Sequence, residues 1–185
     1  RVAIIFAIFI FALYLRTAWN LDLATEDGFQ LTGGSDPYYH KHVIDYVHEN
    51  GRHLINDPML NYPLGANNVR PPPFDWSIVI VGLLISPLVG SQEEAIWWST
   101  EVMPAVYGAL IVFPIYAMGR AYFGSKPALF AAFFISVSAS HVGHSTLALA
   151  DHDSFIILLT TACFYFFMRS LSTSGDQRWV SNWKN

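Results

Sequence analysis

The chain has 185 residues, of which 53% are hydrophobic and 13% are charged, and its formal net charge at pH 7 is -4. Soluble domains carry about 25% charged residues, so this composition is typical of an integral membrane protein. The negative net charge argues against a nucleic-acid partner. The single cysteine, Cys163, excludes a disulfide framework and a cysteine-based zinc site.

The first apolar run ends at Arg16, which we expect to reach the lipid–water interface. It lacks a small-x-small cleavage site, so we interpret it as an uncleaved anchor. Because the chain begins with Arg1 inside this run, we expect it to be a piece of a larger protein. A spanning helix needs roughly 20 residues, and flanking polar residues bring most of the apolar runs to that length. These runs lie at residues 2–15, 76–92, 102–119, 127–140 and 154–168.

The run at 76–92 decides the topology. One basic loop carries Arg120 and Lys126, another carries Arg169 and Arg178, and basic loops face the cytoplasm. If the 76–92 run is a re-entrant or surface helix, both basic loops are cytoplasmic and the two acidic segments described next are external. We therefore predict a long first external loop and four spans, the loop at about residues 24–100 and the spans at about 2–22, 101–119, 127–147 and 154–170.

The first acidic segment, GGSDPYYHKHVIDYVHENG, covers residues 33–51. Its apolar side chains recur at helical spacing, which predicts an amphipathic helix that ends at Gly51. Asp36 before Pro37 is typical of a helix N-cap, and its carboxylate is also a candidate metal ligand. A carboxylate has two oxygens, so the two roles are compatible. Asp75, in the later segment PPPFDW, is interpreted as another cap.

The second acidic segment, LADHDSF, lies between two apolar runs. In an extended loop Asp151 and Asp153 point to one side, and His152 faces away. Carboxylate oxygens suit hard cations such as Mg²⁺ or Mn²⁺. Acidic groups that face a cavity at a membrane edge are functional candidates. The alternative is that Asp153 caps the helix that starts at Ser154 and Asp151 marks the membrane boundary.

Two further histidines, His141 and His144, are spaced to share one helix face before this segment. This spacing is compatible with a zinc site, although polar histidines near the membrane boundary are the favoured interpretation.

Three segments together carry a family resemblance: GSDPYYHKHVIDY, then YPLGA with PPPFDW, then GRAYFGSKPALFAAFFISVSASHVGHSTLALADHDSF. They resemble the catalytic subunit of oligosaccharyltransferase, the membrane enzyme of asparagine-linked glycosylation, in its archaeal form. The resemblance implies an all-α integral membrane fold, a GT-C-type transmembrane helix bundle whose long first external loop carries amphipathic helices. It also implies that the chain is the N-terminal transmembrane part, with the soluble C-terminal domain outside it.

The resemblance further implies that Asp36, Asp151 and Asp153 ligate a divalent metal, Mn²⁺ or Mg²⁺, and that Asp36 is also catalytic. His144 stands where many members have an arginine, and is a candidate for contact with the lipid phosphate. The implied reaction moves an oligosaccharide from a dolichyl phosphate or diphosphate to the asparagine of an Asn-X-Ser/Thr acceptor, with inversion. The implied site is on the external face of the cell membrane, and the implied partners are the lipid-linked oligosaccharide, the acceptor polypeptide and membrane lipids.

Three alternatives remain open. Another glycosyltransferase that uses a polyprenyl-phosphate sugar would also place an acid in the first external loop, but the later Asp-x-Asp argues against it. A non-enzymatic transporter fragment would place acids near the middle of the membrane, whereas these stand at the ends of apolar runs. A structural membrane subunit would use the acids as caps only.

Overall fold

The computed structural model describes residues 1–26 and 30–173, and these are mostly helical. Two short strands pair antiparallel, with Asn56 opposite Asn67. In chain order the elements are α1 (Val2–Thr17), α2 (Leu21–Glu26), α3 (Ser35–Asn50), β1 (Asn56–Asp57), β2 (Ala66–Asn67), α4 (Pro72–Val89), α5 (Gln92–Leu110), α6 (Val112–Phe123), α7 (Ser125–Val137), α8 (Ala139–Gly143) and α9 (Asp153–Thr173).

The chain divides into two compact units. Unit 1 comprises Arg1–Trp19, Ala105–Thr146 and Asp153–Asn185. Unit 2 comprises Asn20–Pro104 and Leu147–His152. Unit 2 is therefore built from one long segment and one short segment that comes much later in the chain.

Unit 1 packs its helices around small and branched side chains. Gly119 lies so close to the backbone of Ala128 that a side chain there would crowd it, which lets α6 and α7 approach closely. Many large apolar side chains of α1 and α9 remain exposed, as expected for helices that face lipid. The core cluster consists of Ile5, Ala12, Ala109, Val112 and Ala132.

Arg16 is fully buried in unit 1, so the expectation that it reaches the interface is wrong. Its Nε donates to Ser145 Oγ at 2.9 Å, and its Nη1 donates to the carbonyls of Ala12 at 2.8 Å and Ser136 at 3.2 Å. Its Nη2 lies 3.4 Å from His141 Nδ1. The carbonyls at a helix end lack intrahelical partners. The end of α7 thus offers an acceptor inside the bundle, and the guanidinium turns inward to it.

Unit 2 packs α3 against α4. The buried face of α3 includes Val43, Ile44 and Val47, and α4 contributes Phe74 and Ile78. Apolar residues at this spacing place one stripe of each helix in a shared core.

Helix α3 begins at Ser35, and its N-cap is Gly34 with φ 91°, a backbone conformation that favours glycine. Asp36 is therefore in the first turn and makes no capping bond, so the N-cap interpretation is wrong. Asp75 is likewise in the first turn of α4, where Pro71 is the N-cap and no side chain makes a capping bond. Both carboxylates are left available for other partners.

Among the described residues, three helical stretches are long and apolar enough to cross a membrane: Pro72–Val89, Gln92–Phe123 and Asp153–Leu171. The apolar helices Val2–Thr17 and Ser125–Val137 are shorter. The length argument for a non-spanning helix near residue 76 therefore loses its force, and the four-span topology stays a prediction.

The helix bounds also differ from those expected. Helix α5 starts at Gln92 rather than near residue 101, and the helical stretch expected at 127–147 breaks at Ser138 between α7 and α8. Arg178, used in the topology argument, lies outside the described residues.

Candidate metal centre

The short segment Leu147–His152 is tied into unit 2 by backbone hydrogen bonds. The Ala148 amide donates to the Glu101 carbonyl at 2.9 Å, and the Thr32 amide donates to the Ala148 carbonyl at 2.8 Å. Ala148 has φ 65°, an uncommon conformation for a residue with a side chain, and it lies in this bonded turn. The turn carries Asp151 and His152 to the helix of the first acidic segment.

Four side chains of unit 2 form a continuous chain of close contacts. His40 Nδ1 is 2.7 Å from Asp75 Oδ1, and His40 Nε2 is 3.0 Å from His152 Nδ1. His152 Nδ1 is in turn 2.9 Å from Asp151 Oδ1, and His40 Nε2 is 3.8 Å from the same oxygen. The order of side chains in this series of contacts is Asp75, His40, His152 and Asp151.

The hydrogen-bond partners fix the histidine tautomers. A carboxylate only accepts, so His40 donates through Nδ1–H to Asp75. A neutral His40 then presents the lone pair of Nε2, which accepts the Nδ1–H of His152. His152 Nδ1 also lies 2.9 Å from Asp151 Oδ1, and this oxygen accepts the backbone N–H of His152 at 2.6 Å.

The inner half of this series of contacts is buried. His40 and Asp75 are fully buried, and the Phe74 ring packs edge-on against His40 with centroids 5.0 Å apart. Asp75 Oδ2 is buried without a hydrogen-bond partner, and the nearest histidine nitrogen, His53 Nδ1, is 4.0 Å away. Orphaned buried carboxylate oxygens are uncommon and call for an explanation.

His40, Asp151 and His152 offer ligand atoms that all lie within 4.8 Å of one another. Of the predicted ligands, Asp151 belongs to this group and Asp36 does not. Asp36 is exposed and pairs with Arg70. The guanidinium of Arg70 also lies over the Tyr39 ring, 4.3 Å from its centroid.

Asp153 is the first residue of α9, so it opens that helix rather than preceding it. Within unit 1 its Oδ2 lies 3.2 Å from His144 Nδ1, and both side chains are exposed. The structure therefore brings together two predicted site residues, Asp153 and His144.

A neighbouring cluster holds Tyr39, His42 and Asp57. His42 Nε2 lies 3.3 Å from Asp57 Oδ2, and the Asp57 side chain is fully buried. Burial, reinforced by the Asp57 carboxylate, raises the pKa of Tyr39 to about 12, while Arg70 acts in the opposite direction. The phenol therefore stays neutral throughout the physiological range.

Sequence reasoning missed His40, Asp75 and the inward direction of His152. The expectation that His152 faces away was wrong because the segment is a tight turn and not an extended strand. One feature of the sequence could have pointed to His40: it follows Asp36 by four residues, so the two side chains lie on the same face of α3.

Two imidazoles and a carboxylate fit a borderline divalent cation such as Zn²⁺, whereas an oxygen-only set fits Mg²⁺ or Mn²⁺. The residues present are thus able to hold a divalent metal, and the set of donor atoms decides which metal is preferred.

Comparisons with known proteins identify relatives of this chain. A dolichyl-phosphooligosaccharide-protein glycotransferase of Archaeoglobus fulgidus, the one numbered 3, is 31% identical over 122 residues, covering 65% of this chain and 14% of that protein. The one numbered 1, from the same organism, is 26% identical over 170 residues, covering 91% and 27% respectively. The chain spans between 14% and 27% of the length of the curated relatives it matches.

Solved structures of the Archaeoglobus fulgidus oligosaccharyltransferase share the fold. The apo crystal structure matches with a TM-score of 0.85 and 21% identity, covering 95% of this chain and 20% of that one. The complex with Zn and sulfate gives 0.83 and 20%, covering 97% and 22%. The archaeal complex with an inhibitory peptide and a dolichol-phosphate gives 0.78 and 20%, covering 90% and 19%.

This likeness confirms the predicted fold class, an all-α integral membrane helix bundle. The model of the family described as oligosaccharyl transferase STT3, N-terminal, matches residues 3–181. The chain therefore belongs to the STT3 family of oligosaccharyl transferases, within the N-terminal region of its members.

Proposed function

We propose that the protein containing this chain moves an oligosaccharide from a dolichyl phosphate or diphosphate to the asparagine of an Asn-X-Ser/Thr acceptor, at the external face of the membrane. Family membership and the names of the archaeal relatives support an oligosaccharide transfer. The observation that carries the proposal is the joining of both acidic segments in unit 2, where Asp151 meets His40 of the helix that holds Asp36.

Metal dependence belongs to the same proposal. The predicted ligands are Asp36, Asp151 and Asp153, with Mn²⁺ or Mg²⁺ as the cation. A bound divalent cation supplies Lewis-acid neutralisation of the charge that grows on the departing lipid phosphate. The solved relative that holds Zn and sulfate supports a divalent metal in this fold.

Asp36 is suited to bind the acceptor. Its side chain is exposed, and its pairing with Arg70 is a surface ion pair, which contributes little stability and exchanges readily. A free carboxylate oxygen can accept an N–H of the asparagine carboxamide and draw the nitrogen lone pair out of conjugation. Without an enzyme nucleophile, a single displacement at the sugar inverts its configuration. Positioning and electrostatics then supply most of the acceleration.

The lipid partner is proposed on similar grounds. The exposed imidazole of His144 beside Asp153 is a candidate donor to a phosphate oxygen. One solved relative is a complex with an inhibitory peptide and a dolichol-phosphate, and another is tethered to an acceptor peptide containing an NVT sequon. These two partners are the ones proposed for the protein containing this chain.

The test uses the full-length protein, lipid-linked oligosaccharide and a sequon peptide. We expect Asp36→Ala and Asp151→Ala each to lower kcat/KM by at least about 100-fold, since both remove groups that act in the transition state. Glu49→Gln, an exposed acid on the same helix as Asp36, is the matched control and should retain wild-type transfer.

Wild-type transfer by both aspartate variants would refute the proposal. Glycosylation of a non-peptide acceptor alone would indicate another polyprenyl-phosphate-sugar transferase. Cation flux across proteoliposomes without any transfer would indicate a transporter.

A further inference from the structure

We infer that Arg70 is a positioning residue for the transfer reaction. Its guanidinium is fixed by the Tyr39 ring and by the backbone after β2, and it holds the Asp36 carboxylate in the orientation that receives the acceptor amide. This role rests on the catalytic role given to Asp36 in the proposed function, and deepens it by naming a residue that acts through Asp36. All three residues belong to unit 2.

Asp36 and Tyr39 lie on one face of α3, because they are three residues apart in a helix. Arg70 reaches both side chains from the segment that precedes α4. It pairs with Asp36 and stacks over Tyr39, with its Cζ 4.3 Å from the ring centroid. A guanidinium is planar and carries its donors around the edge, so one cation is able to stack on a ring and bind a carboxylate at the same time.

The backbone of Arg70 is fixed by Asn68. The Arg70 amide donates to Asn68 Oδ1 at 3.0 Å. Asn68 in turn donates from Nδ2 to the Leu54 carbonyl at 3.1 Å, and from its own amide to the Ile55 carbonyl at 2.7 Å. Pro71 follows, and a proline restricts the backbone of the residue before it. The Arg70 side chain is therefore anchored at its base as well as at the face of its guanidinium.

The two partners of the ion pair differ in exposure. The Arg70 side chain is 23% exposed, whereas the Asp36 side chain is 57% exposed. Asp36 is therefore the partner that exchanges with solvent, and Arg70 is the partner that is held. Each time the pair forms again, the carboxylate returns to the same guanidinium. The ion pair adds little stability, but it restricts the rotamers of the Asp36 side chain.

The orientation of Asp36 matters because the acceptor nitrogen is a weak nucleophile. Arg70 pairs with Oδ1 of Asp36, which leaves Oδ2 to accept the N–H of the asparagine carboxamide. A carboxylate held in one rotamer needs no reorganisation when the acceptor binds, and a misplacement of about 1 Å is able to cost about 100-fold in rate. No bond to Arg70 forms or breaks in the reaction.

The experiment measures transfer to a sequon peptide by the full-length protein, with kcat and KM determined separately. We expect Arg70→Ala to lower kcat about tenfold or more, with the melting temperature and the KM for the lipid-linked oligosaccharide unchanged. Arg70→Lys should lose less, because it keeps the charge without the planar stack. Guanidinium ion added to the assay should restore part of kcat in Arg70→Ala and none in Asp36→Ala.

Further variants test whether Arg70 acts through Asp36. In the double variant Asp36→Ala/Arg70→Ala, kcat should be no lower than in Asp36→Ala, because the carboxylate that Arg70 positions is already missing. Tyr39→Leu should lower kcat more than Tyr39→Phe, which keeps the ring. Arg52→Ala is the matched control. Arg52 is an exposed arginine whose Cζ lies 5.9 Å from the ring centroid of Tyr46 on α3, and its variant should transfer like the wild type.

A second measurement does not depend on transfer. Asp36 is modified with a water-soluble carbodiimide and glycinamide, and the product is quantified by mass spectrometry. Because Arg70 engages the carboxylate, we expect the rate of modification at Asp36 to rise at least about threefold in Arg70→Ala. The rate should not change in Arg52→Ala.

Wild-type kcat in Arg70→Ala would overturn the inference, and so would additive losses of kcat in the double variant. A loss of kcat matched by a loss of melting temperature would overturn it in favour of a structural role for Arg70. Unchanged modification of Asp36 in Arg70→Ala would likewise count against it. Faster modification of Asp36 in Arg70→Ala, in a protein that transfers nothing, would support the hold of Arg70 on Asp36 while refuting the proposed function.

Discussion

Each unit buries a charged side chain, and the two are treated differently. In unit 1, the Arg16 guanidinium is bonded to the carbonyls of Ala12 and Ser136 and to the Ser145 hydroxyl. In unit 2, the Asp75 carboxylate has one oxygen bonded to His40 and one oxygen with no hydrogen-bond partner. The Arg16 guanidinium thus has several hydrogen-bond acceptors, whereas only one of the two Asp75 carboxylate oxygens has a hydrogen-bond partner.

The difference predicts that the two buried groups contribute unequally to stability. A satisfied buried group stabilises one arrangement of the helices around it. A group left partly unsatisfied raises the energy of the unliganded state and favours the binding of a compensating charge. We therefore expect Arg16 to contribute more to the stability of the protein than Asp75 does.

The largest stability effect should come from unit 1. Arg16→Ala leaves buried acceptors without a donor and opens a cavity, so we expect a loss of about 3 kcal/mol or more in the free energy of unfolding. Arg16→Lys should lose less, because it keeps the charge without the planar fork. Thermal melts in detergent measure both. Arg120→Ala, at an exposed position, serves as the control, and an equal effect there would remove the distinction.

A second effect tests the space around Arg16. A side chain at Gly108 would collide with Ser145 and come within 2.7 Å of Arg16 Nε, so Gly108→Ala should destabilise by about 2 kcal/mol. Gly143 has nothing within 4 Å of an added Cβ and ordinary backbone angles. Gly143→Ala should therefore leave the melting temperature unchanged. Equal melting for the two alanine variants would show that the cluster is loosely packed.

A smaller loss is expected for the anion of unit 2. Asp75→Asn keeps the shape but turns a charge-assisted hydrogen bond into a neutral one, which should lower the metal-free stability by about 1 kcal/mol. This loss is to be compared with the loss of unfolding free energy in Arg16→Ala. A metal-free loss as large as that of Arg16→Ala would place Asp75 in the scaffold.

The smallest effect is a pH dependence. A phenol whose pKa is raised from 10.0 to about 12 by folding keeps its stabilising effect below pH 10, and loses it as the pH rises from 10 towards 12. We expect Tyr39→Phe to flatten this part of the stability profile by about 1 kcal/mol relative to the wild type. Parallel profiles for the two proteins would show that the Tyr39 hydroxyl is hydrated.

Composition and helical spacing predicted the membrane character, helix α3 and the end of that helix at Gly51. They did not predict where single polar side chains point. Asp36 and Asp75 each have the sequence context of a cap, but each lies in the first turn of its helix and pairs with Arg70 or His40 from another part of the chain. Periodicity identifies the buried face of a helix, and the identity of the partner on that face depends on tertiary packing.

The excursion of Leu147–His152 into unit 2 has a consequence for biosynthesis. Residues 20–104 leave the ribosome long before this turn does, and the amide of Thr32 and the carbonyl of Glu101 must wait for it. The early segment therefore leaves the ribosome before these two backbone hydrogen bonds can form, and unit 2 is completed only after residues 147–152 have been synthesised.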